Sequence, residues 1–304
     1  MSGCCIPSGH GTGDNVTSGI VPRAVGQSAG ARGGDSRDGM VVVGGGRTLL
    51  GSSEPDHPEE WPVREVDVAP FAIGRCAVSN AEFAAFVAAT GHRTDAELHG
   101  WSFVFAGLLP DDFPPTRGVA AAPWWRQVHA ADWAHPQGPQ SDVESRGDHP
   151  VVHVSRRDAE AYAAWWGARL PSESEWEHAA RGGLQGAPFP WGHDREPSGQ
   201  HVMNVWQGTF PTEDTGADGW RGTCPVDAFP ANGHGLHNTT GNVWEWCAGP
   251  WSVDDPADDE VGVSRGGSYL CHASYCRRYR VSGRQPHSTD STAGNLGFRL
   301  AADA

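Results

Sequence analysis

Cys271 and Cys276 stand five residues apart in SYLCHASYCRRYR (268–280), among polar, aromatic and basic residues. Regular structure would not bring their sulfurs together. Five helical residues turn through about 500°, so the two side chains diverge by about 140°. On a strand, an odd separation places them on opposite faces. The sulfurs meet only if the chain turns between them, and His272-Ala273-Ser274 can make that turn. Three chemistries are then open: two unrelated buried thiols, a structural or redox-active disulfide, or two thiolates of a metal site. A structural zinc ion wants four ligands, usually with C-x2-C spacings, and no such spacing occurs in this chain. Two soft thiolates with no evident third and fourth ligand suit Cu(I). Arg277, Arg278 and Arg280 follow the pair. They would favour thiolate over thiol, unless they form a solvated basic face.

The elements that must position this segment are few. SNAEFAAFVAATG (79–91) has Ser79 as a cap, Glu82 three residues on and Gly91 as a stop, which predicts a helix. SRRDAEAYAAWWGARLPSESEWEHAARGG (155–183) predicts two more. Ser155 caps the first, Pro171 closes it, and Ser172 with Glu175 forms a capping box for the second. MVVVGGGRTLLGS (40–52) reads as strand, glycine turn and strand, and REVDVAPFAIGRCAVS (64–79) as another pair of strands. Residues 100–150 and 184–265 hold few periodic elements. Loops that long inside a compact domain are functional or are held by something other than backbone ladders, such as bound ions.

Composition agrees with a turn-rich fold packed by large aromatic plates: 41 Gly, 23 Pro and 14 Trp in 304 residues. The excess of 37 acidic over 22 basic side chains argues against nucleic acid or an anionic membrane as partner. No apolar run of about 20 residues exists to span a membrane. MSGCCIPSGHGTGDN has neither the basic nor the apolar region of a secretory signal, so a cytoplasmic location is expected. In that reducing setting an odd count of seven cysteines fits free thiols, metal ligands or catalytic groups. Cys76, Cys224 and Cys247 read as small core residues. Residues 1–38, with Cys4 and Cys5, read as a disordered leader, and 39–304 as one domain.

The Cys271/Cys276 segment with its neighbours resembles the formylglycine-generating enzymes of the sulfatase-modifying factor family, bacterial type. The resemblance runs through GGSYLCHASYCRRYR, NLGFRLA (295–301), GLHNTTGNVWEW (235–246), NVWQGTFP (204–211) and RLPSESEWEHAARGG (169–183). AAAPWWRQV (120–128), DWAHPQGP (132–139) and DHPVVHVS (148–155) extend it across about residues 40–302. The two cysteines are the piece specific to the formylglycine-generating branch. One departure is Val281, which stands where secretory relatives carry a further cysteine.

The resemblance implies an irregular α+β single domain related to the C-type lectin fold, low in regular structure and monomeric. It implies oxidation by O2 of the cysteine of a C-x-P-x-R motif in a sulfatase to Cα-formylglycine, with release of sulfide. Cys271 and Cys276 would be the catalytic pair and the Cu(I) ligands. Ser268 would be an active-site serine, and Trp244, His272, Tyr275 and Asn295 would line the substrate cleft. One calcium set would be Asn204, the Val205 carbonyl, Asp218 and the Trp220 carbonyl. A second would be Asn238, the Gly241 and Val243 carbonyls and Glu245. Such hard oxygen donors suit structural Ca2+, although Asn and Asp beside Gly otherwise read as turns. Two rivals stand beside this. An iron-dependent sulfoxide synthase on the same scaffold would need a histidine-bearing partner domain. A non-catalytic lectin-like binding module would make both cysteines dispensable.

Overall fold

A computed structural model describes residues 37–252 and 260–304. The sequence reading of residues 1–36, with Cys4 and Cys5, lies outside the described residues. Among the described residues the architecture is α+β, built from small sheets and four short α-helices: α1 (Asn80–Thr90), α2 (Asp95–His99), α3 (Arg156–Trp166) and α4 (Glu173–Ala180). Among the described residues, no helix is long and apolar enough to cross a membrane.

Every α-helix starts in a capping box: Ser79 with Glu82, Thr94 with Glu97, Ser155 with Asp158, and Ser172 with Glu175. Each box satisfies amide donors that the first turn leaves orphaned. α1 stops at Gly91 (φ 65°), the left-handed position that glycine takes without strain. α3 stops in the same way at Gly167 (φ 82°). Pro171 therefore does not close it; the helix has ended before the proline is reached. α1 and α3 meet through Phe83 stacked on Tyr162 at 5.8 Å and Phe86 edge-on to it at 5.4 Å.

The N-terminal strands form as expected but do not pair in the order the glycine turn suggests. Met40–Val43 and Ala301–Asp303 flank Phe71–Gly74 in one antiparallel sheet, while Gly46–Leu50 pairs with Arg64–Val68 in another. The glycine stretch between 43 and 46 is thus a crossover between sheets and not a hairpin turn. The stretches read as loops also contain strands: Trp101–Phe105 pairs with Ala122–His129, and Trp244–Pro250 with Val261–Arg265. Their aromatic and mixed patterns hid the alternation.

The four-stranded sheet positions the cysteines. Its order is Arg284–Ser288, Val261–Arg265, Trp244–Pro250, Leu296–Phe298, the last pair being parallel. The antiparallel pair Val261–Arg265 and Arg284–Ser288 ends at the register Arg265↔Arg284. Residues 266–283 form the loop between these two legs, and both cysteines sit on it. Glu173 at the start of α4 holds both legs, taking Arg265 Nη1 at 2.8 Å and Arg284 Nε at 2.6 Å. Gly267 (φ 74°) closes the loop base, because a Cβ there would lie 2.7 Å from Tyr279 Cα. The main core runs beneath this loop and includes Trp125, Trp206, Trp244, Trp246 and Phe298 together with both cysteines.

Candidate active site

Two short turns fold the cysteine loop back on itself. Cys271 N–H donates to the Ser268 carbonyl at 2.9 Å, and the Tyr275 and Cys276 amides donate to the His272 carbonyl at 3.0 and 2.8 Å. The turn at 272–276 is the one the spacing required. It brings Cys271 Sγ and Cys276 Sγ to 3.6 Å, each residue 1% exposed. A disulfide would be about 2.05 Å, so these are two separate thiol groups. Two metal–sulfur bonds of about 2.3 Å, the length zinc shows, span up to about 4.6 Å. At 3.6 Å both sulfurs could hold one soft ion, and the donor set is the kind Cu(I) selects.

Ser268 is tied into the same turn. Its amide donates to Cys271 Sγ at 3.4 Å, and its Oγ accepts from Leu270 N–H at 3.3 Å and Asn295 Nδ2 at 2.9 Å. Ser268 and Asn295 are both fully buried. The serine is thus a fixed polar group one turn from the sulfur.

The sulfurs face a narrow pocket of about 10 Å3, room for about one water molecule. Trp124, Trp125, Phe210, Leu270, Tyr275 and Ser268 line it with the two cysteines. Phe210 stacks on Tyr275 at 4.7 Å, and Trp124 meets both edge-on at 5.3 and 5.0 Å. This wall limits water and favours an apolar guest. Trp124, Trp125 and Phe210 are the functional residues that reading the chain missed. Their signal was present in the PWW and QGTFP strings, but nothing local says that segments about 150 and 60 residues upstream of Cys271 close over it.

Several expectations need correction. Trp244 is 0% exposed in the core, and Asn295 is equally buried behind Ser268. Neither lines an open cleft; Asn295 acts through the serine. Tyr275 does line the pocket. His272 sits on the half-exposed turn, its Nδ1 against Ser274 Oγ at 2.8 Å. Burial, and then Arg195, hold its imidazole below its usual range. The arginines after Cys276 do not present free positive charge to the thiols. Arg277 and Arg280 meet Asp56 at 3.2 and 3.0 Å, Arg278 Nε meets Glu59 at 2.8 Å, and Arg280 also bonds Glu60. Cys224 and Cys247 are core residues as expected, and burial pushes the Cys224 thiol up to about 12. Cys76 is only half-buried and lies on the wall of a separate pocket.

Of the first proposed calcium set, Asp218 meets the backbones of Val205 and Trp220, while Asn204 Nδ2 donates to the Gly222 carbonyl at 2.9 Å. Asp218 reaches Val205 N–H at 3.0 Å and Trp220 N–H at 3.1 Å, and the Val205 carbonyl accepts from Gln207 Nε2 at 3.1 Å. Burial raises the Asp218 carboxyl, with nearby Asp214 adding to the effect, a cost that a bound cation would offset. In the second set, Asn238 donates from Nδ2 to the Pro225 and Val226 carbonyls at 3.0 Å each. That fixes the amide and leaves Oδ1 buried with no hydrogen-bond partner among the described residues. An orphaned buried oxygen of this kind fits a cation. Glu245 departs from the set. Its Oε2 takes Trp176 Nε1 and Arg299 Nε at 2.6 Å each, and its Oε1 takes Arg299 Nη2 at 2.6 Å. Its carboxylate is committed to an ion pair in the core. Among the described residues no group of three or more His, Cys, Asp or Glu could hold a metal ion. Any calcium here would therefore rest mainly on amide and carbonyl oxygens, with Asp218 as the carboxylate of the first set.

Comparison with known proteins converges on one family. Residues 27–304 match the sulfatase-modifying factor enzyme 1-like domain. The chain is 53% identical over 283 residues to the formylglycine-generating enzyme of Thermomonospora curvata, covering 87% of this chain and 93% of that one. It is 45% identical over 271 residues to the inactive C-alpha-formylglycine-generating enzyme 2 of Bos taurus, covering 87% and 88%. Among solved structures, PvdO from Pseudomonas aeruginosa superposes with a TM-score of 0.61 at 27% identity, covering 87% of this chain and 94% of that chain.

Proposed function

Because the chain belongs to the formylglycine-generating (sulfatase-modifying factor) family, we propose that it oxidises a sulfatase cysteine to Cα-formylglycine at the Cys271–Cys276 pair. The substrate cysteine would lie in a C-x-P-x-R motif, with O2 as acceptor and sulfide released. The observation that carries the reading is the pair itself: two buried sulfurs 3.6 Å apart at the end of an aromatic pocket.

Bound by the two thiolates, Cu(I) would supply a soft site for the substrate's thiolate and would relay to dioxygen the electrons that the substrate and a thiol reductant give up. The rest falls to the chain. Asn295 holds the Ser268 hydroxyl, and the Ser268 amide steadies Cys271 Sγ. Trp124, Phe210 and Tyr275 exclude water and orient the incoming peptide, so positioning supplies much of the rate. The overall change balances as RCH2SH + O2 + 2e− + 2H+ → RCHO + H2S + H2O, with a thiol reductant giving the two electrons. Calcium at the Asn204/Asp218 and Asn238 segments would pin loops that lack ladders of their own. A cytoplasmic monomer acting on sulfatase polypeptides completes the reading.

Family membership alone does not secure activity, since an inactive relative shares 45% of its residues. The test is a mass spectrum of a C-x-P-x-R peptide after incubation with the protein, Cu(I), O2 and a thiol. The expected product has lost H2S and gained O, needs copper, and reacts with an aldehyde-specific reagent. A peptide that binds but is never converted would instead favour a binding module.

A further inference from the structure

The residues that follow Cys276 are held by a segment more than 200 positions earlier in the chain. Residues 51–60 form a closed loop: Ser52 N–H donates to the Glu60 carbonyl at 2.9 Å, and a Cβ on Gly51 would lie 2.5 Å from that same oxygen. The base of this loop is fixed to α4. Glu177 Oε1 accepts from Gly51 N–H at 2.8 Å, and Arg181 Nη2 donates to the Gly51 carbonyl at 2.8 Å. Its acidic side lies against residues 277–282. Asp56 takes Arg277 and Arg280, Glu59 takes Arg278 Nε at 2.8 Å, and the Glu54 carbonyl accepts from Arg280 Nη1 at 3.0 Å. Deepest is Glu60, whose side chain is fully buried. Its Oε2 accepts from Arg280 Nη2 and from Ser282 Oγ, the latter at 2.9 Å.

The two cysteines are therefore anchored from different sides. The Cys271 amide donates to the Ser268 carbonyl at 2.9 Å, its carbonyl accepts from Trp206 N–H at 3.1 Å, and its sulfur accepts from the Ser268 amide at 3.4 Å. Cys276 leads directly into 277–280, where three of the four side chains end on the acidic loop and the fourth, Tyr279, stacks on Phe189 at 6.2 Å.

Resting on the role proposed above for the pair, we propose that Glu60 is a positioning residue. Through Arg280 and Ser282 it holds the Cys276 end of the turn, and so sets the spacing of two sulfurs that would share one soft ion. The arginines then act by place and not by charge, since each is matched by a carboxylate. A buried carboxylate gripping a guanidinium resists displacement, because separating them leaves a charge unpaired in the interior. Groups that orient metal ligands from behind are worth about 10–100-fold in metal affinity.

The experiment needs no turnover. Reduced, metal-free full chain is alkylated with iodoacetamide, and peptide mapping follows Cys271 and Cys276 separately. Cu(I) affinity is read by competition with a colorimetric chelator. In Glu60→Gln, Cys276 should be alkylated at least about tenfold faster than in the wild type while Cys271 changes less than about twofold, because the segment that Glu60 holds opens more often by itself. Cu(I) affinity should fall about 10–100-fold. Asp56→Asn should move both readouts in the same direction. The Asp56 side chain is 22% exposed and its loss leaves Glu60 to answer Arg280, so this variant carries the test if Glu60→Gln does not fold. As a control for general destabilisation, Phe83→Leu in the α1–α3 contact should lower the melting temperature without changing the ratio of the two alkylation rates. If both cysteines quicken together in the Glu60 and Asp56 variants, or if Cu(I) affinity is unchanged, Glu60 is structural only and the inference is overturned. Wild-type protein that fails to oxidise the C-x-P-x-R peptide overturns the proposed function alone; alkylation and copper binding still decide the role of Glu60.

Discussion

Asn295 donates from Nδ2 to Ser268 Oγ at 2.9 Å, across a sequence separation of 27 residues. It ties the parallel edge of the four-stranded sheet to the cysteine turn. Removing it leaves the buried serine one donor short, at about 1–3 kcal/mol. Asn295→Ala should therefore stay folded but lower kcat for peptide oxidation about tenfold or more, and Asn295→Asp should not restore it, since the donor is gone. Steady-state kinetics beside a melting curve decides this; an unchanged kcat would remove Asn295 from the positioning role.

Cys271→Ser and Cys276→Ser should each abolish turnover. Both sites are buried, so placing a hydroxyl there costs about 1–3 kcal/mol, which a domain of this size survives. Circular dichroism should show native structure in both variants. Retained peptide oxidation in either one would sink the assignment of the pair.

Glu245 and Arg299 form a fully buried, doubly bonded pair. Breaking one side strands a charge in the core, at about 3–5 kcal/mol. Glu245→Gln should lower the melting temperature by roughly 5–10 °C, with or without calcium. A loss that appears only when calcium is present would return Glu245 to the calcium set.

The orphaned Asn238 Oδ1 makes calcium testable without activity. A ligand bound only to the native state stabilises it by RT ln(1 + [L]/Kd). EDTA should lower the melting temperature of the wild type, and Asn238→Ala should shrink that difference. Superimposable curves with and without EDTA, in both proteins, would dismiss the ion.

Burial lowers His153 to about 4 and His287 to about 3. Both are fully buried. The unfolded chain therefore binds protons that the native state refuses between about pH 6.5 and 4, and stability falls as pH falls through that window. Each imidazole contributes a loss of about 3 kcal/mol by pH 4. Stability followed from pH 7 to 4 should decline before the carboxylates titrate, and His287→Asn should flatten the slope. A flat profile down to pH 5 would refute it.

Much of this protein was legible in its chain because the signals were local. Ser79 with Glu82, and Ser172 with Glu175, announce helix starts, since a capping box needs only four consecutive residues. The cysteine spacing, too short for a shared helical or strand face, required a turn, and residues 272–276 make it. Thr94 with Glu97 used the same signal and was overlooked in a stretch that otherwise reads as loop.

What the chain alone could not decide was partnership. Strands 40–43 and 46–50 look like a hairpin, yet pairing energy depends on which edges the core brings near, and each joined a different sheet. Arg277, Arg278 and Arg280 read as thiolate-stabilising cations until Asp56, Glu59 and Glu60, more than 200 residues away in sequence, neutralise them. Glu245 read as a calcium ligand until Arg299 and Trp176 claimed both its oxygens. Trp124 and Phe210 became an active-site wall only through contacts with Tyr275. Caps and turns are written in adjacent residues; ion pairs, aromatic walls and sheet order are set by distances that only the folded chain defines.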